Sequence, residues 1–390
     1  MKPMKSSNPQ QNNQPLWWRE TDHNRHHREN IWDYKGRAIY HITLTTAERF
    51  PAFGALDGNC EKEAHITLSD LGKMVNDTIV GLPAFYAQKG IDIRVLASIV
   101  MPDHLHMVIH VKEPMPKSIG EVVRSFKSAC TSWFKRQYIN AQAKMLEECT
   151  GTYHSTSDAM AAQFVHFCRI FATTGSVWEH NPAGYHERIF HCAGQLNNMI
   201  QYVKDNPRRL WLKRNNPNLF KIHNSLSWTH TDENSTTHTW QFRSLGNQFL
   251  LDNPRKQLIQ CSRSMTSSEI EQYCNACLHA AQQGVVSITA AISEGEKNIA
   301  RRLCENAAPL ILLLKDGFPP VGSERERYYK PGGQLFDLCS AGHLLLLEPH
   351  TSVFDDMLIL DCVYRRNPAA TRNSLRYHFL ALNEIGQRLL

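Results

Sequence analysis

The stretch Asp103-His104-Leu105-His106-Met107-Val108-Ile109-His110-Val111 alternates imidazoles with apolar side chains. Residues two apart on a strand share a face, so Leu105, Met107, Ile109 and Val111 form an apolar face and His104, His106, Val108 and His110 the other. His104 and His106, roughly 6.6 Å apart along the backbone, can converge on one cation, whereas His110 lies too far along to join them. The chain has 20 histidines, and roughly one H-x-H is expected by chance at that content. A pair of half-exposed, hydrogen-bonded histidines in a hairpin is therefore the rival reading.

A second set of reactive groups lies far downstream. In QLNNMIQYVKDNP, Tyr202 and Asn206 are four residues apart and share one side of a helix, at the edge of the stripe Leu196, Met199, Ile200 and Val203. A hydroxyl and an amide oxygen then face one space, although a boundary tyrosine and a helix stop before Pro207 fit the same spacing. Two neutral imidazoles and an amide oxygen leave a divalent cation with open positions and its full charge, which can polarise a phosphodiester oxygen. A tyrosine hydroxyl, with a pKa of about 10, can be deprotonated to attack phosphorus, and phenoxide leaves well enough for reversal.

The elements that must position these groups are legible around them. From Ala38, AIYHITLTT alternates as a strand; a polar loop and a helical stretch from Leu68 to Lys89 follow. IDIRVLASIVMPDHLHMVIHV gives two strands split at Met101, Pro102 and Asp103, a β-hairpin. SIGEVVRSFKSACTSWFKRQ places Ile119, Val122, Val123, Phe126, Ala129 and Trp133 at helical spacing, with Arg124, Lys127, Lys135 and Arg136 off that stripe. Residues 140 to about 175 read as a helical or irregular insertion. SVWEHNPAGYHERIF is a short β piece, and AGQLNNMIQYVKDN a helix up to Pro207. A polar connector rich in Thr, His, Asn and Ser follows. KQLIQCS, GVVSI, PLILLLK and HLLLLEP then read as buried strands separated by helices, which favours a parallel sheet with helices on both faces, a Rossmann-like arrangement.

Length and composition agree with this division. The 390 residues fit two domains, and 42% hydrophobic with 21% charged residues is a globular composition. The expected boundaries are a flexible polar arm at 1–32, a first domain at 33–220, a linker at 221–254 and an α/β domain at 255–390. In the arm, Trp17 and Trp18 are the apolar anchors, and His23, His26 and His27 are a tail that could bind metal but more often is solvated. No apolar run approaches the roughly 18 residues of a membrane span, and the amino terminus has no signal-peptide core, so a cytoplasmic protein is expected. Eleven dispersed cysteines make a poor disulfide framework; Cys274-x-x-Cys277 sits in an amphipathic helix without a second pair, as buried free thiols. Lys plus Arg number 43 and Asp plus Glu 37, a net charge of +6 that permits nucleic-acid binding without requiring it.

VMPDHLHMVIHV, RSFKSACTSWFK, VWEHNPAGYHERIF and IQYVKDNPRR, in this order, resemble a REP-associated tyrosine transposase of the single-tyrosine HUH endonuclease superfamily; the likeness runs from about Tyr34 to Leu219. The resemblance implies an α+β ferredoxin-like core, a divalent metal (Mg2+ or Mn2+) and single-stranded DNA, in hairpin-forming repeats, as partner. It further implies His104, His106 and Asn206 as metal ligands and Tyr202 as the nucleophile that forms a 5′-phosphotyrosine and releases a 3′-hydroxyl. Arg124, Lys127, Arg208 and Arg209 are then candidates for phosphate contacts, against a merely solvated basic face. The protein is expected near the nucleoid, as monomer or homodimer. ISEGEKNIARRLCENAAPLILLLKDGF and GGQLFDLCSAGHLLLLEP resemble the Rossmann-like fold of the DNA-processing protein A family, known for binding single-stranded DNA. SEGEK lacks G-x-G-x-x-G, so no nucleotide cofactor is inferred. A DNA-binding protein that kept the scaffold without cutting is one rival; a replication initiator or relaxase is another, disfavoured by the single tyrosine and the missing helicase P-loop.

Overall fold

A computed structural model of the chain describes residues 32–147, 156–179, 185–190, 193–232, 235–262, 264–327, 329–372 and 374–390. The expected polar arm, with Trp17, Trp18, His23, His26 and His27, lies outside the described residues apart from residue 32. The described chain divides into two compact units, residues 32–214 and 215–390.

The first unit contains β1 (Ala38–Thr45), a hairpin of β2 (Gly54–Asp57) and β3 (His65–Leu68), α1 (Asp70–Ala87), β4 (Ile93–Val100), β5 (His104–Val111), α2 (Ile119–Glu147), α3 (Thr156–Thr174), β6 (His186–Ile189) and α4 (Ala193–Asn215). Strands β4-β5-β1-β6 form one sheet in that order, every neighbouring pair antiparallel. Without the hairpin and α3, the chain order is βαββαβ, followed by α4.

Alternation decides the two faces of this sheet. Tyr40, Ile42 and Leu44 of β1 and Leu105, Met107, Ile109 and Val111 of β5 point into one core, which α1 closes with Leu71, Val75, Ile79 and Leu82, and α2 with Ile119, Val122, Val123 and Phe126. Further along α2 the fully buried residues are Cys130 and Phe134, which continue the i, i+4 row of Val122 and Phe126, while Trp133 packs half-buried against the same core and Ala129 is exposed. The helix α1 begins at Ser69, whose side chain accepts from the Gly72 backbone. A Cβ at Gly72 would stand 1.9 Å from the Phe53 carbonyl oxygen, so this turn of the helix tolerates no side chain.

Much of the stretch read as an insertion is helical: it holds the end of α2 and all of α3. Phe167 and Phe171 of α3 pack edge-on against Phe134. Trp178 then bridges to Thr46 beside β1, and its buried indole donates to the Lys127 carbonyl oxygen at 3.1 Å. The chain is thereby delivered to the edge of β1, where β6 pairs.

One expectation fails in α4. The helix does not stop at Pro207 but continues to Asn215. Proline removes one backbone donor, yet Arg208 reaches back to Asp205 through two hydrogen bonds, and Trp211 donates to the Gly58 carbonyl oxygen at 3.1 Å. These side-chain ties hold the turn that proline weakens.

The second unit is built on a six-stranded sheet ordered β7-β8-β12-β11-β10-β9, formed by β7 (His223–Thr231), β8 (Thr237–Gly246), β9 (Lys256–Leu258), β10 (Val286–Thr289), β11 (Leu310–Leu313) and β12 (Leu344–Pro349). The last four are mutually parallel, as their unbroken apolar runs suggest. Helices α5 (Ser267–Gln282), α6 (Glu294–Glu305), α7 (Glu324–Arg327) and α8 (Gln334–Ser340) lie between them in sequence, and α9 (Thr351–Phe354), α10 (Met357–Arg366) and α11 (Leu375–Arg388) follow. Ile288, Leu313 and Leu347 share a core with Ile359 of α10 and Tyr377, Leu382 and Ile385 of α11.

The sheet is nevertheless mixed. The stretch 221–254, expected as a linker, forms the β7–β8 hairpin, and β8 pairs antiparallel with β12. Its outer face is polar, and alternating Thr, His and Ser gave it the composition of a loop. Cys274 and Cys277 are buried free thiols, as expected, and burial pushes the Cys277 thiol up to about 12. No described helix is long and apolar enough to cross a membrane.

Candidate active site

The face of the first sheet opposite its core carries the predicted histidines. Pairing of β1 with β5 sets Thr43 opposite His106 and Thr45 opposite His104. The two imidazole centres lie 4.9 Å apart, so the H-x-H spacing does bring the rings side by side. His104 Nδ1 is 2.6 Å from Asp103 Oδ1. Burial works to raise the Asp103 carboxyl; the hydrogen bond and charge of His104, helped by Arg49, outweigh it and hold the group below its usual value. The residue read as turn chemistry also orients an imidazole.

His106 is 5% exposed. Its Nδ1 lies 2.9 Å from Thr43 Oγ1 and 3.1 Å from His41 Nε2. Burial, with the nearby Arg188 cation, lowers His41 to about 4, so this imidazole is neutral at neutral pH. Neither His41 nor Thr43 was singled out from the sequence. The signal was present: the alternation that sends Tyr40, Ile42 and Leu44 inward puts His41 and Thr43 on the histidine face.

α4 brings Tyr202 to this face, within the same chain. Its ring meets His106 edge-on, with centres 5.5 Å apart. Asn206 follows one turn later, 3% exposed, and its Nδ2 donates to the Tyr202 carbonyl oxygen at 2.8 Å, so the amide oxygen is the atom it would offer a cation.

The four basic candidates divide. Arg124 is exposed and ion-paired with Glu121. Lys127 is partly buried, and burial lowers its pKa. Arg208 binds Asp205 and lies 3.4 Å from Glu61, so carboxylates of this chain already compensate much of its charge. Arg209 is not on a solvated face: its side chain is 8% exposed, and the guanidinium carbon lies 5.4 Å from the Tyr202 ring centre.

Residues 36–157 match the family described as IS200-like transposases. Through this segment the chain is similar to IS200-like transposases. The matched segment holds His104 and His106, while Tyr202 and Asn206 lie beyond it and are joined to it by the packing of α4. An uncharacterized protein of Haemophilus influenzae is 26% identical over an alignment spanning 28% of this chain and 70% of that protein. Among solved structures, a REP-associated tyrosine transposase bound to a REP hairpin is 13% identical, over 46% of this chain and 72% of that one, with a TM-score of 0.21. A protein described as a transposase from Deinococcus radiodurans is 15% identical, over 46% and 96%, with a TM-score of 0.22.

The donor set suits a divalent cation. Both histidines engage a partner through Nδ1, so Nε2 is the nitrogen that each would offer a cation. Among the described residues no group of three or more His, Cys, Asp or Glu is placed to hold a metal, so the third protein donor would be the Asn206 amide oxygen. Such a mixed nitrogen and oxygen set leaves positions for substrate.

Proposed function

We propose that this protein is a metal-dependent transposase that nicks single-stranded DNA and rejoins it through a 5′-phosphotyrosine on Tyr202. The observation that carries the reading is the edge-on packing of Tyr202 against His106 in one chain. A nucleophile and an imidazole pair far apart in sequence converge on one face.

In the forward step Tyr202 Oη, having lost its proton, bonds to phosphorus while the bond from phosphorus to the 3′ oxygen breaks; that oxygen takes up a proton and leaves as a 3′-hydroxyl. Attack by another 3′-hydroxyl restores both the phosphodiester and the tyrosine. A bound Mg2+ or Mn2+, held by His104, His106 and Asn206, would supply the positive charge that polarises the phosphodiester. Asn206 ties its own side chain to the turn that carries Tyr202, and Arg209 walls the ring on another side. Arg124, Lys127 and Arg208 would guide the DNA backbone, with hairpin-forming repeats as the favoured substrate on the strength of the sequence resemblance. The ferredoxin-like reading of the first unit rests on its βαββαβ order, and the Rossmann-like reading of the second on its four parallel strands. The second unit would add DNA affinity or partner contacts, and the whole would work in the cytoplasm beside the nucleoid.

Labelled single-stranded DNA, run on denaturing gels after incubation with protein and Mn2+ or Mg2+, tests this directly. Wild type is expected to give a covalent adduct, Tyr202→Phe none, with gel-shift binding retained; an adduct surviving in Tyr202→Phe removes Tyr202 from its role. His104→Ala or His106→Ala should abolish cleavage without unfolding, and cleavage that persists in chelator argues against a metal.

A further inference from the structure

His106 Nδ1 faces two groups of β1 at once, Thr43 Oγ1 at 2.9 Å and His41 Nε2 at 3.1 Å. Two ring nitrogens at that separation share one proton. A hydroxyl gives or takes a hydrogen bond, so Thr43 fits either arrangement. An imidazole lone pair accepts one bond along its axis, whereas a single N–H is readily shared between two acceptors. Two partners converging on one nitrogen therefore favour a proton on His106 Nδ1, with Thr43 and His41 both accepting.

We propose that Thr43 and His41 are positioning residues that hold His106 as the Nδ1–H tautomer and so keep its Nε2 lone pair for a divalent cation. The inference rests on the metal-dependent reading of this site and extends it to two residues of β1 that touch no substrate. The opposite tautomer would put a proton on Nε2 and block coordination. His104 reaches the same end by a different route, through the Asp103 carboxylate. One imidazole thus rests on an anion and the other on a neutral pair.

The strand register makes the arrangement possible. Thr43 is directly opposite His106 and His41 is opposite Val108, one step along the same face, so both side chains reach the same ring from one side. A slip of one residue would turn both toward the core and bring Tyr40 and Ile42 out in their place.

The test has two arms, both on the full chain. In metal-free protein with 15N-labelled histidine, His106 assigned by comparison with His106→Asn, the ring shifts are expected to report Nδ1–H. A wild-type ring protonated on Nε2 overturns the proposal whatever the metal does. In the second arm Mn2+ binding is followed by electron paramagnetic resonance, without DNA. Thr43→Val, close in shape and at home in a strand, should bind Mn2+ roughly 10- to 100-fold more weakly, and Thr43→Ser should restore affinity. His41→Gln serves as an independent second variant, expected to weaken binding similarly. If wild type binds Mn2+ and His106→Ala does not, but Thr43→Val and His41→Gln bind like wild type, the positioning role is wrong while the metal site stands. If wild type itself binds no Mn2+, the metal-dependent reading fails and takes this inference with it.

Discussion

Arg209 shows how a side chain's work depends on what surrounds it. By sequence it is one more cation for a phosphate, but it is nearly buried, 3.9 Å from Asp205 and stacked over the Tyr202 ring. A planar guanidinium on an aromatic face contributes about 0.5–2 kcal/mol, and a lysine ammonium cannot reproduce that geometry. Arg209→Lys is therefore expected to slow adduct formation roughly two- to thirtyfold, with single-strand binding much less affected. Gel shifts beside adduct kinetics would show it, and equal losses in both would return Arg209 to the phosphate-contact class. At this scale the sequence was readable where spacing decides neighbours: alternation paired His104 with His106, and a separation of four put Tyr202 and Asn206 on one side of α4. It was silent on partners from other elements. His41 and Thr43 could be placed on a face by alternation, but only the pairing of β1 with β5 says that this face belongs to His106.

The helix α6 illustrates an element whose start is written locally and sealed tertiarily. Ser293 and Glu296 form a capping box, the pattern expected three residues apart at a helix start. Glu296 does more than cap: 3% exposed, it accepts from the Ile292 and Ser293 backbone and also from the Cys261 backbone after β9. The helix end that could have cradled a phosphate is thus occupied by the chain's own carboxylate, in keeping with the missing glycine motif. Glu296→Ala removes the acceptor for three backbone donors, each costing about 1–3 kcal/mol if left buried, while Ser293→Ala removes one cap of about 1 kcal/mol. Urea denaturation should show a loss of about 3 kcal/mol or more for Glu296→Ala and a clearly smaller one for Ser293→Ala; equal losses would mean that Glu296 is only a cap. Element boundaries were readable where an apolar run marked them, as in β10 to β12. They were lost where the pattern was polar. The β7–β8 hairpin pairs Thr229 with Thr239 on an exposed face and His230 with His238, half-buried, on the other, residues that look like linker by composition. Pro207 misled in the opposite sense, because its ties lie in Asp205, Arg208 and Trp211 rather than in backbone propensity.

Across the whole molecule the division into two cores was legible, since alternating hairpin strands in the first half give way to short unbroken apolar strands in the second. What sequence could not supply was the assignment of β7 and β8 to the second sheet, because strand neighbours that far apart in the chain leave no local trace. Having two cores means that a change confined to one should be felt there first, and His378 of α11 offers a way to read the second. It is 3% exposed and its Nε2 donates to the Lys315 carbonyl oxygen at 2.8 Å. Burial lowers its pKa from 6.5 to about 4, against the opposing influence of that bond and of Asp316, and the Lys315 charge adds to the lowering. The folded unit therefore holds a neutral ring, whereas the unfolded chain takes up a proton near its ordinary value. The stability this contributes is fully present above about pH 6.5 and is lost as pH falls toward about 4, a change of about 3 kcal/mol if the whole shift is realised. Equilibrium denaturation of the full chain between those limits should show the second unit weakening as acid is added. In His378→Gln, which keeps a donor for Lys315 but cannot titrate, that part of the pH dependence should disappear. A profile as steep as that of wild type would assign the acid sensitivity to other groups.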